Sequence, residues 1–305
     1  MDDVVLEVQD FHKAYGSFAA VDDISFTVAN GEIFGLLGPN GAGKTTILEC
    51  LEGIRQPSKG KLSILGVNPS REPGKLRDLL GVQLQTSSLP DDMLVDEAMR
   101  FFSAYHGVAP RYDLLERMGL HEKRRTPYRQ LSTGQQRRLA LALAVAHRPP
   151  VVILDEPTAG LDVESRTELH ALMRELQQTG ATILLATHDM AEAEKMTDRI
   201  AILLRGKIAA TGSPLELTAT GSGLTKISVR TDDGVLMEST AAFPGVQKRL
   251  DAEDYAIFFS TDPGSTVTAL LDYITGHGDR LIDLRVERPS LEERFLEITA
   301  QGGAQ

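Results

Sequence analysis

The chain has 305 residues, enough for one large domain with a small one or for two domains. It carries 32 basic and 43 acidic residues, and the formal net charge of −11 disfavours a nucleic-acid partner. Cys50 is the single cysteine, which excludes an internal disulfide and suits a reducing compartment. No apolar run approaches the ~18 residues that span a bilayer, and the N-terminus lacks the regions of a signal peptide. We therefore expect a soluble, cytoplasmic protein that reaches a membrane only through a partner.

Two strands are predicted at the start of the chain. Val4, Leu6 and Val8 alternate with polar residues, as in a half-buried strand. Phe11–Gly16 is expected to form a turn, and Ile24–Val28 alternates again as a second strand.

The segment Gly38–Thr46 fits the pattern G-x-x-x-x-G-K-[ST] of a phosphate-binding loop. Its glycines reach backbone angles that other residues avoid, so amide N–H groups can close on phosphate oxygens. Lys44 would supply charge for the β- and γ-phosphates, and the Thr45 hydroxyl would ligate Mg²⁺. Ile33–Leu37 predicts a buried strand before the loop, and Thr45–Leu51 predicts a helix whose positive N-terminus faces the anion. With these flanks, the loop predicts nucleotide binding.

The middle of the chain is predicted to change from strands to helices. Lys61–Leu65 and Gly81–Gln85 are strand candidates, whereas residues 90–120 have a helical pattern rich in methionine and aromatic side chains. Two interpretations are compatible, a small helical subdomain with its own core and a docking surface that adapts to a partner. We expect both, on different faces. The side chains concerned are Met93, Met99, Phe101, Phe102, Tyr105, Leu114, Leu115 and Met118.

A buried helix and a buried strand are predicted next. Ser132 and Gln135 form an S-x-x-Q capping box for a helix that continues through the apolar run Leu139–Ala146. Val151–Leu154 is typical of a central parallel strand and ends in the acidic pair Asp155–Glu156. Acids at this end of a strand lie in the crevice where open α/β sheets bind ligands. Because two adjacent carboxylates are costly there, we expect a cation or a catalytic role.

The α/β pattern continues with one more capped helix and two strands. Asp162 is predicted to cap the helix, and the strand Ala181–Ala186 leads to His188. A strand at Ile200–Leu204 completes this region. His188 and Tyr15, the latter on the early turn, are each more readily explained as structural residues when considered alone, although an aromatic near a phosphate loop could stack on adenine.

The pattern resets at about residue 221. The predicted elements are strands at Lys226–Arg230, Tyr255–Ser260 and Leu281–Arg288, a helix near Val267–Ile274, and a closing helix that begins with a capping box of Ser290 and Glu293. This composition predicts a small α+β domain, and we recognise no catalytic cluster in its sequence.

These motifs, in this order, resemble an ATP-binding cassette, the ATPase subunit of ABC transporters. The residues that match its Walker A motif are Gly38, Pro39, Asn40, Gly41, Ala42, Gly43, Lys44 and Thr45, and the adjacent Thr46 is also expected to contact the nucleotide. Tyr15 is similar to the adenine-stacking aromatic, and Gln85 to the glutamine of the Q-loop. Ser132, Thr133, Gly134 and Gln135 resemble the family signature, except that the family usually has glycine where this chain has Thr133. Asp155 and Glu156 resemble Walker B, Asp162 the D-loop aspartate, and His188 the switch histidine.

The resemblance implies an α/β fold of the P-loop NTPase class. It places an ABC cassette at residues 1–220, with a helical subdomain at about 86–150. A small C-terminal α+β accessory domain would occupy residues 221–305.

The resemblance also implies cofactors, roles and partners. In this family two cassettes meet head to tail around two ATP molecules, so a homodimer is expected. Walker A of one subunit would face Ser132–Gln135 of the other, and Asp162 would link the two sites. The expected Mg²⁺ ligands are Thr45, Gln85 and Asp155. The expected catalytic residues are Lys44, Gln85, Glu156, which would polarise the attacking water, and His188, which would contact the γ-phosphate.

The ending Pro289–Thr299 resembles the ATPase subunits of type-2 ABC exporters, the group that includes the daunorubicin-resistance ATP-binding subunit. This implies export of a small molecule, drug or lipid through a separate permease, docked near residues 86–118 on the inner face of the cell membrane. The alternatives are an importer ATPase and a soluble ABC ATPase with a non-transport role. A second cassette or a long coiled-coil insertion would favour the soluble class, and the chain has neither.

Overall fold

A computed structural model of the chain describes residues 4–86, 89–219, 224–288 and 290–302. The chain divides into two compact units, Met1–Pro214 and Leu215–Gln305. The strands of the first unit are β1 (Val4–Tyr15), β2 (Phe18–Ala29), β3 (Ile33–Leu37), β4 (Lys59–Ile64), β5 (Leu80–Gln83), β6 (Val151–Asp155), β7 (Thr182–Thr187), β8 (Arg199–Leu204) and β9 (Lys207–Gly212). Its helices are α1 (Lys44–Leu51), α2 (Pro73–Leu79), α3 (Val95–Tyr105), α4 (Tyr112–Arg117), α5 (Thr133–Ala144), α6 (Val163–Gln178) and α7 (Met190–Met196), with 3-10 turns at His121–Lys123 and Tyr128–Gln130.

A six-stranded sheet in the order β5-β6-β7-β3-β8-β9 is the centre of the first unit. All its pairings are parallel except that of β9 with β8. The five residues of β3 and the five of β6 are all buried, as the continuous apolar runs predict. Because β6, β7 and β3 are neighbours and parallel, the chain leaves all three at the same edge of the sheet. The phosphate loop, Glu156 and His188 therefore converge there.

A three-stranded antiparallel sheet in the order β2-β1-β4 shares a core with part of the central sheet. Phe26 on β2 stacks on Phe34 on β3 with ring centroids 5.2 Å apart. Helix α1 contributes Ile47, Leu48 and Cys50 to this core. Cys50 is fully buried, and its burial raises the pKa of the thiol to about 11, so it is a packing residue.

A second core of the first unit joins α3, α4, α5 and α6 to the other side of the central sheet. Met99 and Leu115 are fully buried in it, whereas Phe101 and Tyr105 on α3 are 59% and 57% exposed. The methionine and aromatic side chains of residues 90–120 are thus divided between a core face and an exposed face, as predicted.

The second unit is built on a four-stranded antiparallel sheet in the order β11-β12-β10-β13. Its elements are β10 (Thr225–Thr231), α9 (Val235–Glu238), β11 (Val246–Ala252), β12 (Tyr255–Ser260), α10 (Pro263–Gly276), β13 (Leu281–Glu287) and α11 (Leu291–Gly302), while α8 (Pro214–Ala219) begins at the division between the units. Leu270 and Ile274 of α10 share a core with Ile227, Val229 and Phe258 of the sheet. The predicted capping box is present, since Ser290 and Glu293 exchange backbone-to-side-chain hydrogen bonds.

The structure corrects the sequence predictions in three places. Phe11–Gly16 is not a turn, because β1 continues to Tyr15 and pairs it with Phe18 of β2 across a short connection. Val4 is exposed although it fits the alternation, because the pairing register shifts between Val4 and Leu6. The predicted strand Gly81–Gln85 ends at Gln83, which leaves Gln85 in a turn.

Some predictions fall outside the described residues. These are residues 87 and 88 of the helical subdomain, residues 220–223 at the predicted domain boundary, and Pro289 before the closing helix. Within the part of the chain that the structure describes, no helix is both long and apolar enough to cross a membrane.

Candidate functional site

The phosphate loop connects β3 to α1 and needs glycine at three positions for steric reasons. Gly41 and Gly43 have φ angles of 81° and 107°, a region that side chains disfavour. A Cβ on Gly38 would lie 2.3 Å from the Leu203 carbonyl oxygen, and one on Gly43 would lie 2.7 Å from that of Ala20. The loop is therefore packed against backbone on two sides, and a substitution would displace it.

Lys44 holds the loop closed from inside. Its side chain is only 6% exposed, and Nζ donates hydrogen bonds to the carbonyl oxygens of Gly38 at 2.6 Å and Pro39 at 3.3 Å. Nζ is also 3.5 Å from Glu156 Oε1. Burial lowers the pKa of Lys44, and the Glu156 carboxylate opposes that shift. The ammonium group is thus fixed between the loop and the acidic end of β6.

Thr45 and Asp155 place two oxygen-bearing side chains next to Lys44 in the chain fold. Thr45 Oγ1 donates to Asp155 Oδ2 at 3.3 Å. Asp155 Oδ1 is buried and, among the described residues, has no hydrogen-bond partner. Burial, followed by the negative charge of Glu156, raises the pKa of Asp155. The Thr45 hydroxyl and the Asp155 carboxylate, with its one unsatisfied oxygen, fit Mg²⁺, which binds through few protein ligands plus substrate phosphates.

Gln85, the third predicted Mg²⁺ ligand, lines the same cavity as Thr45 and Asp155. No three histidine, cysteine or acidic side chains in the described ranges converge as a metal site. A cation here would therefore depend on phosphate oxygens as well as on protein.

Glu156 and His188 form a hydrogen-bonded pair at the edge of the sheet. His188 Nδ1 lies 2.6 Å from Glu156 Oε2, and the side chains are 53% and 5% exposed. Glu156 has a φ angle of 49°, unusual for a non-glycine residue, and its backbone N–H donates to the Ala186 carbonyl at 2.9 Å. Such strain is characteristic of functional positions. The strained backbone directs the carboxylate between the Lys44 ammonium group and the His188 imidazole.

Residues of the phosphate loop, Gln85, Asp155 and Glu156 line one cavity of about 500 Å³, whereas His188 is not among its described lining residues and reaches the site through its bond to Glu156. The cavity is lined by Tyr15, Phe18, Ala20, Pro39, Asn40, Gly41, Gly43, Lys44, Thr45, Thr46, Gln85, Asp155 and Glu156. Gly38 and Ala42 belong to the loop itself, and Ala42 is buried.

Tyr15 stands at the mouth of the cavity, with Lys13 Nζ and the Arg55 guanidinium 5.1 and 5.5 Å from its ring centroid. Phe18, a second exposed aromatic, is a lining residue that the sequence analysis missed. The signal was present, because a strand that turns at Gly16 brings Phe18 opposite Tyr15.

The signature residues form the N-terminus of helix α5 and lie outside this cavity. Ser132 is the N-cap of α5 and exchanges hydrogen bonds with Gln135 at 3.2 and 3.0 Å, which confirms the capping box. Ser132 and Thr133 are exposed, whereas Gly134 is buried against α6. A Cβ on Gly134 would lie 2.5 Å from Ser165 Oγ. None of the described residues that line the cavity belongs to the signature.

Asp162 is the N-cap of α6, as predicted. Its Oδ1 accepts a hydrogen bond from the Ser165 backbone N–H at 2.8 Å. That bond is the main reason why the pKa of Asp162 lies below its usual value. Asp162 is not among the described lining residues either. One chain therefore assembles Walker A, Gln85, Walker B and His188, but leaves the signature and Asp162 elsewhere on its surface.

Comparison with known proteins identifies the family. The family model for ABC transporters matches residues 21–159. The Nod factor export ATP-binding protein I of Ralstonia nicotianae is 35% identical over 97% of this chain and 94% of its own length. This chain belongs to the ABC transporter family. The chain is also 31% identical to the linearmycin resistance ATP-binding protein LnrL of Bacillus subtilis, over 97% of this chain and 99% of that one.

A solved structure of the ATP-binding subunit of an ABC transporter has the same fold as the cassette. It superposes with a TM-score of 0.65 and 30% identity over 70% of this chain and 91% of that one. The protein is therefore an α/β P-loop ATPase that binds ATP, hydrolyses it and powers a separate membrane permease. ATPase subunits of ABC transporters pair with permeases and dimerise.

Proposed function

We propose that this ATPase drives export of a small molecule, drug or lipid. The main support is that two relatives, named for Nod factor export and for linearmycin resistance, match over 97% of the chain. Matches of that length extend through the second unit as well as the cassette. The transported compound would be recognised by the permease, because the cavity of this chain is built for phosphate.

The proposed hydrolytic roles follow the contacts of the site. Lys44 binds the β- and γ-phosphates, Tyr15 stacks on the adenine, and the backbone N–H groups of Gly38–Thr46 surround the phosphates. Glu156 accepts the proton of the attacking water, and His188 holds the γ-phosphate side of the site. Since phosphoryl transfer mostly needs positioning and charge stabilisation, these fixed groups are sufficient chemistry.

Thr45, Gln85 and Asp155 are the proposed Mg²⁺ ligands. Mg²⁺ supplies charge neutralisation at the phosphates when bound. Asp155 Oδ1, which is buried and has no hydrogen-bond partner in the described part of the chain, is the atom that such a cation would satisfy.

A second copy of the chain is proposed to complete each ATP site. Ser132, Thr133, Gly134 and Gln135 begin the 12-residue helix α5, whose N-terminal N–H groups suit an anion. Ser132 and Thr133 are exposed and therefore accessible to a partner's nucleotide. Asp162 would lie at the same boundary. This arrangement supports a homodimer with two shared sites.

The permease is proposed to dock on residues 86–118, which places the cassette on the cytoplasmic face of the membrane. A groove of about 570 Å³ supports this surface, and Leu84, Phe102 and Tyr105 line it beside Leu143. The exposed ring of Tyr105 gives the groove an aromatic margin. We further propose the division into a cassette at 1–220, with its helical subdomain at 86–150, and an accessory domain at 221–305 that tunes assembly.

The decisive experiment is to express the tagged full-length chain in its own cells and identify the membrane protein that co-purifies. Cells with that permease and the wild-type ATPase should accumulate less of the transported compound than cells with Glu156→Gln. Greater accumulation with the wild type would indicate an importer. If no membrane protein co-purified, a soluble ABC ATPase would be the better description.

A further inference from the structure

Helix α6 is joined to helix α7 by three side chains that lie one turn apart. Residues 166, 170 and 174 share a face of α6, because side chains four residues apart in a helix lie above one another. Arg166 Nη1 donates to Asp189 Oδ2 at 3.2 Å, His170 Nε2 bonds to Glu192 Oε1 at 3.0 Å, and Arg174 Nη2 donates to the Lys195 carbonyl at 2.7 Å. These bonds fix the two helices in register along most of α7.

Glu192, the middle acceptor, also holds a loop. Its residue exposure is 2%, and the same Oε1 atom accepts a hydrogen bond from Thr158 Oγ1 at 2.7 Å. Thr158 and His170 are buried as well. A buried carboxylate is costly without donors, so the side chain retains both of them. One carboxylate oxygen thus connects α7, α6 and the segment after Walker B.

The segment anchored in this way runs between two parts of the ATP site. Thr158 follows Glu156 by two residues, and the segment ends at Asp162, the N-cap of α6. Helix α7 begins just after His188, whose imidazole bonds to Glu156. The carboxylate of Glu192 is therefore a common anchor for the Asp162 segment and for the histidine end of the catalytic pair.

We propose that Glu192 is a positioning residue that binds the Thr158–Asp162 segment so that Glu156 and His188 keep their hydrolytic geometry. Glu192 is not among the described residues that line the cavity, and it would act through Thr158 and His170. The inference rests on the proposed shared site. In that site a partner subunit would contact Asp162, and the Glu192 anchor would pass the effect to Glu156 and His188 of the chain that carries Asp162. A displaced catalytic group costs up to ~10²-fold in rate, so a loosened anchor should affect turnover before affinity.

The test compares two Thr→Val substitutions on the full-length chain. Thr158→Val removes the hydroxyl that binds Glu192 and keeps the side-chain shape. Thr197→Val is the matched control, because Thr197 is also buried and its Oγ1 donates one hydrogen bond, at 2.6 Å, to the Ala193 carbonyl at the far end of α7. Thr158→Ser retains the hydroxyl and should restore activity.

We expect Thr158→Val to lower kcat about tenfold or more, with KM for ATP changed less than about twofold. Thr197→Val should lower the melting temperature by a similar amount without that loss of kcat. Equal kcat values for the two valine variants, per folded molecule, would overturn the proposal. A Thr158→Ser variant as slow as Thr158→Val would do the same.

Glu192→Gln provides a second test that does not require Thr158→Val to fold. The glutamine side-chain oxygen can still accept from Thr158 and His170, so kcat should stay within about threefold of wild type. A large loss of kcat at unchanged melting temperature would show that the charge acts directly and would contradict positioning by hydrogen bonds. The shared site is tested separately, by the dependence of wild-type activity on protein concentration.

Discussion

Glu156 is the residue on which the proposed chemistry depends most. It is nearly buried, has a strained backbone, and has an ammonium group on one side and an imidazole on the other. The carboxylate is thus held in one orientation, and in the proposed mechanism it accepts a proton from the attacking water.

Replacement of this carboxyl by an amide should separate binding from hydrolysis. Glu156→Gln should retain ATP affinity but lose hydrolysis by ~10²–10⁴-fold, the usual contribution of a general base. Lys44→Ala is the contrasting variant, because it removes the charge that binds the phosphates and should weaken nucleotide affinity itself. Calorimetry and a phosphate-release assay measure the two effects. Normal turnover by Glu156→Gln, or unchanged affinity in Lys44→Ala, would remove the residue from its role.

Glu52, at the end of α1, should make stability depend on pH. Its carboxylate oxygens are buried with no hydrogen-bond partner among the described residues. Burial, and then the charges of Asp155 and Glu49, raise the pKa of Glu52 from 4.5 to about 7. The folded state then binds more protons than the unfolded state between these values, so stability falls as pH rises through that window and is constant above it.

Glu52→Gln should therefore exceed wild type in free energy of unfolding above pH 7, by roughly 1–3 kcal/mol, and lose that advantage near pH 4.5. Urea titrations of both proteins at several pH values, without nucleotide, give the comparison. Parallel stability curves across this range would contradict the raised pKa.

At the scale of elements, the contact between α5 and α6 explains why the signature contains glycine at position 134. Gly134 packs so closely on Ser165 that a methyl group has no room, and Ser165 is held by its hydrogen bonds to Asp162. The signature glycine is thus a packing requirement as well as a candidate for nucleotide binding.

Gly134→Ala should destabilise the chain by ~1–3 kcal/mol, the usual cost of overpacking. Gly74→Ala on α2 is the matched control, because a Cβ there meets no atom within 4 Å. It should be neutral, or stabilising by up to ~1 kcal/mol, since alanine favours helix. Chemical denaturation measures both. Equal stability of the two variants would show that α5 and α6 separate without cost.

The sequence predicted the elements that have strong periodicity or end signals. Ile33–Leu37 coincides with β3, and Ser132 and Asp162 cap the helices they were expected to cap. The prediction was wrong for Phe11–Tyr15, which continues strand β1. Pairing with β2 stabilises the strand there although the local sequence has a weak strand preference. The sequence also could not place Thr158 against Glu192, since that contact joins segments 34 residues apart.

The whole molecule is one of the two subunits of the proposed dimer. Its ATPase activity should therefore depend on protein concentration. If each site needs two subunits, specific ATPase activity should rise with protein concentration until dimers are saturated. Ser132→Arg should block this rise and leave ATP binding at Walker A nearly intact. When the Ser132→Arg chain is mixed with the Lys44→Ala chain, a mixed dimer should contain at most one ATP site that carries neither substitution. Constant specific activity down to monomeric samples would refute the shared site.

The division into two compact units leads to a prediction about truncation. A chain that lacks residues 221–305 should keep measurable ATPase activity, because the described cavity residues all precede that segment. It should associate less with the permease and export less in cells. Hydrolysis, co-purification and efflux are the three measurements. A folded cassette without hydrolysis would contradict this division of labour.

The buried thiol of Cys50 allows local opening of the fold to be measured in solution by alkylation. A thiol with a pKa of about 11 in the core of α1 is almost unreactive to alkylating reagents while the fold is closed. The rate at which Cys50 is alkylated therefore reports how often α1, the helix after the phosphate loop, opens. Because ATP binds the folded state, it should lower that alkylation rate.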